Sequence, residues 1–392
     1  MSYYALTVPA EVKTRIDGGA RDLPMAIVPG AREREPGQPL RLLTGKSELC
    51  GFAIADPENE LVRVFTLGDE MHQALDARFF KSRVARAFAL RTAFALDRTK
   101  SAFRMIHGAG DALPGLTCDV YGDYAVVYAY SRALVTLGRL CAEALREIVG
   151  VKGVVVKVRS RDSAPSQKFK QDVVGETPPE ALIIEADGAR FEVHLLAALN
   201  VGLFTDMRLH RIGLARYARG RKVLNEFSYT GSLSVAAALA GAKSVTSVDL
   251  AGGVQKWARE NFRLNGINEA PHRFFDEDMS AYLKRAAREG ERFDMAIVDP
   301  PTVSAARAAA WTMKRDYPEL IERTVALLEP DSLLWLSANM RDLGPLTELA
   351  RGAFASAKRP AQLLEVGGMP PDYPTLPAHP VDRYLQLCLF RV

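Results

Sequence analysis

Between residues 221 and 302 the chain alternates short apolar runs with amphipathic stretches, and its last run stops at two prolines. The runs are Lys222-Val-Leu-Asn-Glu226, Ser244-Val-Thr-Ser-Val-Asp249 and Phe293-Asp-Met-Ala-Ile-Val298. Runs of this kind suit parallel strands, which carry apolar residues on both faces. The stretch Val254 to Leu264 repeats apolar residues at helical spacing. Strands that alternate with helices build a parallel sheet covered on both sides. The expected fold class is therefore α/β, doubly wound over this region. Asp299-Pro-Pro-Thr302 closes the pattern. Prolines neither continue a central strand nor donate to its ladder. They impose a rigid exit at the carboxyl end of a strand.

Sheets of this type bind ligands beyond the carboxyl ends of their strands. The turn Ser228-Tyr-Thr-Gly231 lies at one such end, where a glycine lets backbone approach a ligand and the next helix offers unpaired N–H groups. Asp249 ends the next strand, 18 residues after Gly231. An acid about 20 residues beyond the glycine turn meets a ribose diol in dinucleotide folds. A generic doubly wound domain would instead use Asp249 to cap a helix. The chain has no G-x-G-x-x-G loop, which argues against a pyrophosphate-binding dehydrogenase. A stiff, carbonyl-rich corner at Asp299-Pro-Pro can hold a planar base beside a methyl donor. These features point to an S-adenosylmethionine-dependent methyltransferase.

Longer ordered matches carry a family resemblance. They are Val223-Leu-Asn-Glu-Phe-Ser-Tyr-Thr-Gly231, Gly202-Leu-Phe-Thr-Asp206-Met-Arg208, Trp257-Ala-Arg-Glu-Asn-Phe-Arg-Leu-Asn265, Asp299-Pro-Pro and Asp111-Ala-Leu-Pro-Gly-Leu-Thr-Cys-Asp-Val-Tyr-Gly122. The chain resembles bacterial large-subunit (23S) ribosomal RNA methyltransferases that join an N-terminal PUA domain to a class I methyltransferase domain. The resemblance implies a Rossmann-like C-terminal domain with a seven-stranded sheet at 197–392. It further implies a PUA-like β-rich domain at 1–72 and an α+β middle domain at 73–196. The sequence departs from the family at Glu226, usually apolar, at Asn200-Val201, at Ser232-Leu233 and at Val303.

The family holds two chemistries. Methylation of cytosine C5 needs a cysteine thiolate to add to the ring first. That cysteine follows the fifth strand in a Ser-Cys-Ser type motif, where this chain reads Leu333-Leu-Trp-Leu-Ser-Ala-Asn-Met-Arg341. Methylation of guanine N7 uses an in-plane lone pair and needs no covalent catalyst. The N7-methylating half of a bifunctional 23S enzyme is similar in Asp299-Pro-Pro-Thr302, in Arg315-Asp316 and in Ser337-Ala-Asn339-Met-Arg341. The resemblance implies that Asp299, Pro300, Thr302, Ser337 and Asn339 serve catalysis at guanine N7. Cytosine C5 chemistry with another nucleophile, or an RNA-binding protein without activity, are the alternatives.

The same resemblance implies the cofactor contacts. Arg208 would reach its carboxylate end through bidentate guanidinium bonds, and Asp206 would be a further cofactor contact. On sequence alone these two residues could equally pair with each other. Phe227, Ser228, Thr230 and Gly231 would surround its methionine part. Asp249 and Leu250 would meet ribose and adenine, Asp278 and Met279 the adenine amino group and face, and Asp299 the sulfonium. His210 is expected at the surface or as a cap. Tyr384 to Val392 is expected as an antiparallel edge strand.

The N-terminal segment has turn signals at Pro29-Gly30, Pro36-Gly37 and Asp56-Pro57. A basic helix follows from about Leu75 to Leu96, with Arg78, Lys81, Arg83, Arg86 and Arg91 among phenylalanines. Its phenylalanines suit a core face, and its arginines suit either solvent or RNA phosphates. Lys157, Arg159, Arg161, Lys168 and Lys170 form a second such candidate. Asp187-Gly188 is a two-residue hairpin turn. Lys plus Arg is 51 against 47 for Asp plus Glu, a net charge of +4. A phosphate-binding surface must therefore be local. The four cysteines are far apart and form no zinc pattern, so buried reduced thiols and no metal site are expected. No apolar run reaches membrane-spanning length, and no export leader is visible. The expected partner is 23S ribosomal RNA or a large-subunit precursor, with no membrane, in a cytoplasmic monomer or homodimer.

Overall fold

A computed structural model describes residues 3–70, 74–159, 172–197, 200–304 and 311–392. The chain forms two compact units. One comprises Met1–Ala186, Val193–Val201 and Pro371–Pro380; the other comprises Asp187–Glu192, Gly202–Pro370 and Val381–Val392.

The first unit contains two five-stranded sheets among the described residues. The N-terminal sheet uses Tyr4–Thr7, Asp22–Pro24, Pro39–Leu43, Leu49–Asp56 and Leu61–Val64. Its first strand runs parallel to Pro39–Leu43, and its other pairings are antiparallel. Alternating inward residues such as Leu40, Leu42, Val62 and Val64 fill its core. The second sheet uses Ala102–His107, Leu116–Tyr121, Tyr124–Ala129, Gly153–Val158 and Asp172–Gly175. Helices Ala77–Ala93 and Val135–Ile148 pack on it through Phe79, Phe80, Val84, Leu137 and Leu145. Pro371–Pro380 belongs to this unit, although the sequence-based division put it with the last domain. Its anchors are polar and long-range. The Asp372 carboxylate accepts the Arg104 N–H at 2.9 Å, its carbonyl accepts from Arg91 at 2.8 Å, and His379 Nε2 accepts the Arg21 N–H at 2.8 Å.

The second unit carries the doubly wound sheet, whose elements are numbered within it. The strands are β1 (Lys222–Glu226), β2 (Ser244–Asp249), β3 (Arg273–Asp276), β4 (Phe293–Val298), β5 (Leu328–Asn339), β6 (Gln362–Gly368) and β7 (Leu385–Arg391). The helices are α1 (Arg208–Ala218), α2 (Ser232–Leu239), α3 (Val254–Leu264), α4 (Met279–Arg288), α5 (Met313–Val325) and α6 (Leu346–Ser356). The strand order is β3-β2-β1-β4-β5-β7-β6, with β1 to β5 parallel. The two faces bury separate apolar clusters, one around Leu224, Tyr282 and Leu334, the other around Val223, Met295 and Trp335.

The chain steps from β1 outward to β3, then returns to β4 on the other side of β1. The strand order thus reverses between β1 and β4, the place where such sheets open a crevice. Register aligns the rim of that crevice: Glu226 lies opposite Val248 and Val298, and Val298 lies opposite Leu336.

The expected edge position of the last strand is not observed. β7 is antiparallel but not an edge strand, because it inserts between β5 and β6. Its run Leu385-Gln-Leu-Cys-Leu-Phe390 is buried almost throughout, which suits a strand covered on both faces. The edge falls to β6, where Leu363, Leu364 and Val366 are exposed. Among the described residues no helix is long and apolar enough to cross a membrane.

Candidate functional site at the carboxyl ends of the parallel strands

The loop after β1 has an unusual backbone. Phe227, Tyr229 and Gly231 all take positive φ, at 55°, 47° and 75°. Non-glycine residues rarely hold such angles, and where they do the surroundings over-determine them. The restraints are visible. The Ser228 N–H binds Val248 O at 3.0 Å, and Gly231 N–H binds Ser228 O at 2.8 Å. Gln255 of α3 donates to the Ser228 hydroxyl at 3.0 Å, and Asn261 donates to Thr230 O at 2.8 Å. A Cβ at Gly231 would stand 2.9 Å from the Ala258 Cβ, so the close approach of α3 requires glycine there.

Asp249 ends β2 half-buried beside this loop. One of its carboxylate oxygens accepts the Tyr229 N–H and the other the Ala251 N–H, each at 2.8 Å. It thereby shapes the loop it borders. Leu250 follows at 42% exposure, an apolar surface beside a carboxylate. The segment starting at Gly202 is bound to the same loop, because Thr230 donates its hydroxyl hydrogen to Gly202 O at 2.6 Å. Phe204, Tyr229 and Trp257 follow one another with ring centroids 5.4 and 6.2 Å apart. Tyr229 is a structural participant that its place between Ser228 and Thr230 in the turn already signals in the sequence.

The corner after β4 is tied to β5. The Ser337 hydroxyl donates to Asp299 Oδ1. Thr302 donates its hydroxyl to Asn339 O at 2.6 Å. Beneath them the Tyr317 hydroxyl lies 3.0 Å from Val298 O and 2.7 Å from Ser337 O, bridging the two strand ends. Pro300 is buried, Pro301 is exposed, and Trp311 donates to the Pro301 carbonyl at 2.8 Å. Burial pushes the Asp299 carboxyl up to about 6; the Ser337 bond opposes this and the Asp206 charge adds to it. At neutral pH Asp299 is mostly a carboxylate. Side chains of Val303 and Ser304, and residues 305–310, lie outside the described residues.

Several expected contacts have other employment. The Ser228 and Thr230 hydroxyls hold the loop together rather than facing outward. Met279 is 2% exposed and packs in the core, so its side chain presents no face to a ligand. Asp278 caps α4 by accepting the Ala281 N–H at 3.1 Å. Arg208 does not pair with Asp206; it binds Asp187 at 2.8 Å, while Asp206 accepts from the Tyr384 hydroxyl at 3.1 Å. Asp187 and Gly188 take φ of 55° and 82°, as the two-residue turn requires. His210 is buried against Trp335, and burial pushes it down to about 4, so it is neither a surface residue nor a cap.

The basic candidates of the first unit divide. Arg83 and Arg91 are buried in ion pairs with Glu70 and Asp111. Lys157 is buried, donates to Ala197 O at 2.7 Å, and is pushed down to about 8 by desolvation. None of these three lies open on a surface. Arg78, Lys81, Arg86 and Arg159 are outward. Arg161, Lys168 and Lys170 lie outside the described residues. All four cysteines are free and buried.

The residue at the end of β1 was noted in the sequence only as a departure. Glu226 is fully buried, its Oε1 lies 2.7 Å from the Thr324 hydroxyl, and its Oε2 has no hydrogen-bond partner among the described residues. Burial pushes its carboxyl up to about 8.

Known proteins match this chain along most of its length. A family model described as S-adenosylmethionine-dependent methyltransferase matches residues 129–390. The YwbD protein of Bacillus subtilis is 30% identical over 331 residues, covering 83% of this chain and 84% of YwbD. The protein named ribosomal RNA large subunit methyltransferase I in Erwinia tasmaniensis is 28% identical over 362 residues, 90% of each chain. Among solved structures, that of SMU.776 complexed with SAH superposes with a TM-score of 0.86 at 26% identity. The match covers 99% of this chain and 100% of that one.

Glu226 gives a pH prediction. A glutamate titrates near 4.5 when unfolded and near 8 at this site, so between those values only the folded state keeps the proton. Raising the pH through that range therefore destabilises the fold. His210 at about 4, Asp299 at about 6 and Lys157 at about 8 titrate alike in the unaltered protein and in Glu226→Gln, so the difference between the two isolates Glu226. From pH 6.5 to 8 the unaltered protein should lose up to about 2 kcal/mol relative to Glu226→Gln. Unfolding curves of both at several pH values measure it; parallel pH dependence contradicts the assignment.

Proposed function

The chain belongs to the S-adenosylmethionine-dependent methyltransferase family, and from that premise we propose that it methylates guanine N7 in large-subunit ribosomal RNA. The observation that carries the choice of atom is the exit of β5. It reads Ser337-Ala338-Asn339 with no cysteine, and the Ser337 hydroxyl is engaged by Asp299. The cysteine in this same sheet, Cys388, is buried in β7, and burial pushes its thiol up to about 11. No thiolate is therefore on offer for addition to cytosine C6. RNA as substrate is supported by the name of the Erwinia tasmaniensis relative. The N-terminal sheet is read as the PUA-like part of a three-part chain divided at 1–72, 73–196 and 197–392.

S-adenosylmethionine supplies an electrophilic methyl group when bound. The positive-φ loop from Phe227 to Gly231, Asp249 with exposed Leu250, and Asp206 form a rim that suits it, the Asp249 carboxylate toward ribose and Leu250 toward adenine. Arg208, neutralised by Asp187, would orient the carboxylate end rather than bring net charge. Asp278 and Met279 would contribute through backbone groups. Guanine N7 is an acceptor with an in-plane lone pair. It needs no base, so positioning and electrostatics carry the rate. Asp299 would offset the positive charge that develops on the base. Ser337 and Tyr317 keep that carboxylate at the rim. Pro300, Thr302 and Asn339 shape the wall against which the base lies.

Two outcomes follow. Asp249→Ala should weaken S-adenosylmethionine binding by about 1.5–3 kcal/mol in titration calorimetry, since hydrogen bonds to a charged group are lost; unchanged affinity removes Asp249 from the cofactor site. Replacing Cys50, Cys118, Cys141 and Cys388 by Ser or Ala should leave methyl transfer to ribosomal RNA largely intact, whereas Asp299→Ala should abolish it with the fold retained. Nucleoside analysis of the product should give 7-methylguanosine; 5-methylcytidine would reject the reading.

A further inference from the structure

The first compact unit contains a cavity of about 270 Å³, open to solvent, whose lining includes Arg21, Glu70, Arg83, Arg86, Asp111 and Leu376. Three of its cations gather on one carboxylate. Arg83 places both terminal nitrogens on the Glu70 carboxylate, each at 2.5 Å, and Arg86 adds a third bond at 2.6 Å. The Arg21 guanidinium stands 3.9 Å from the same carboxylate. Glu70 thus faces three guanidinium groups, and the Asp22 charge that also acts on Arg21 is itself paired with Arg63 at 2.9 Å. Asp111 supplies no compensation, because its two oxygens bind the buried Arg91 at 2.6 and 2.7 Å and one also accepts the His107 N–H.

Two of the three cations are withdrawn from water. Arg21 is 7% exposed and Arg83 2%. The Arg83 Nε is buried with no hydrogen-bond partner among the described residues. Burial and the neighbouring Arg83 charge push the Arg21 guanidinium down to about 10. A structural ion pair would need only one arginine for Glu70. Excess buried charge is costly unless a counter-charge joins it. The third, Arg86, has a side chain 69% exposed, so the cluster reaches solvent. Guanidinium forks match the oxygens of a phosphate. A volume near 270 Å³, against about 10–15 Å³ for one water on the same measure, leaves room for a phosphate with part of its sugar.

The geometry points to a phosphate-binding pocket, formed by Arg21, Arg83 and Arg86 around Glu70, that takes a backbone phosphate of the bound RNA. That the phosphate belongs to RNA rests on the function proposed above.

The test uses the full-length protein and a 23S ribosomal RNA transcript, with affinity measured across a salt series. Arg86→Glu should weaken binding and flatten the log–log salt dependence by about 0.7–0.9, the loss of one phosphate contact. Arg15→Glu, an exposed reversal on the helix Ala10–Asp17 outside the cavity, should leave the slope as it is. Inorganic phosphate, at ionic strength matched with chloride, should raise the melting temperature of the unaltered protein and raise that of Arg86→Glu less. An unchanged slope in Arg86→Glu overturns the proposal, as does an equal change in Arg15→Glu. A phosphate effect on melting without a change in slope overturns the assignment to RNA. Product analysis separates the two readings: a flattened slope with a nucleoside other than 7-methylguanosine keeps the pocket and rejects the base assignment. 7-Methylguanosine with an unchanged slope does the reverse.

Discussion

The bond from Ser337 to Asp299 joins the carboxyl ends of two neighbouring parallel strands, and the rim of the crevice depends on it. β4 ends in residues that cannot continue a ladder, so backbone pairing stops at Val298. Side chains continue the connection. Ser337 reaches Asp299, Thr302 reaches the Asn339 carbonyl, and Tyr317 spans the two strand ends from below. A carboxylate kept at a strand end, partly desolvated and poised near 6, is an electrostatic element fixed before any ligand arrives.

The facing wall is built by a different device. Three left-handed residues in five turn the backbone after β1 sharply, and Asp249, Gln255 and Asn261 hold the turn from three other positions. Here polar side chains spend their bonding capacity on backbone geometry, so the loop presents shape more than reactive groups. Glu226 sits at the base of this turn with one oxygen unbonded among the described residues. A neutral carboxyl tolerates that burial where a carboxylate would not. This accounts physically for an acid at a position that the resemblance makes apolar.

Much of the fold was legible because it is local. The strand and helix alternation, the glycine turn, the acid ending β2 and the proline stop all depend on short-range pattern, and they assemble at one sheet edge. What the sequence concealed depends on distant partners. Arg208 finds Asp187 across 21 residues, and Arg91 finds Asp372 across 281. Arg83 and Lys157 look like solvated cations until the structure buries them. Met279 follows a strand end as a cofactor residue would, yet its helix turns it inward. The insertion of β7 ahead of β6 was detectable only in the unbroken apolar run Leu387 to Phe390, which an exposed edge would not need.

The central chemical claim is that a site without a thiolate methylates an atom that already carries a lone pair. Substituted transcripts test it most directly. In a single-turnover reaction with labelled S-adenosylmethionine, ribosomal RNA containing 7-deazaguanosine, which lacks the N7 acceptor, should take up no methyl group. The same RNA containing 5-fluorocytidine should be methylated normally and form no covalent adduct with the protein. Methylation of the 7-deazaguanosine transcript, or a trapped protein–RNA adduct with the 5-fluorocytidine one, would contradict the account.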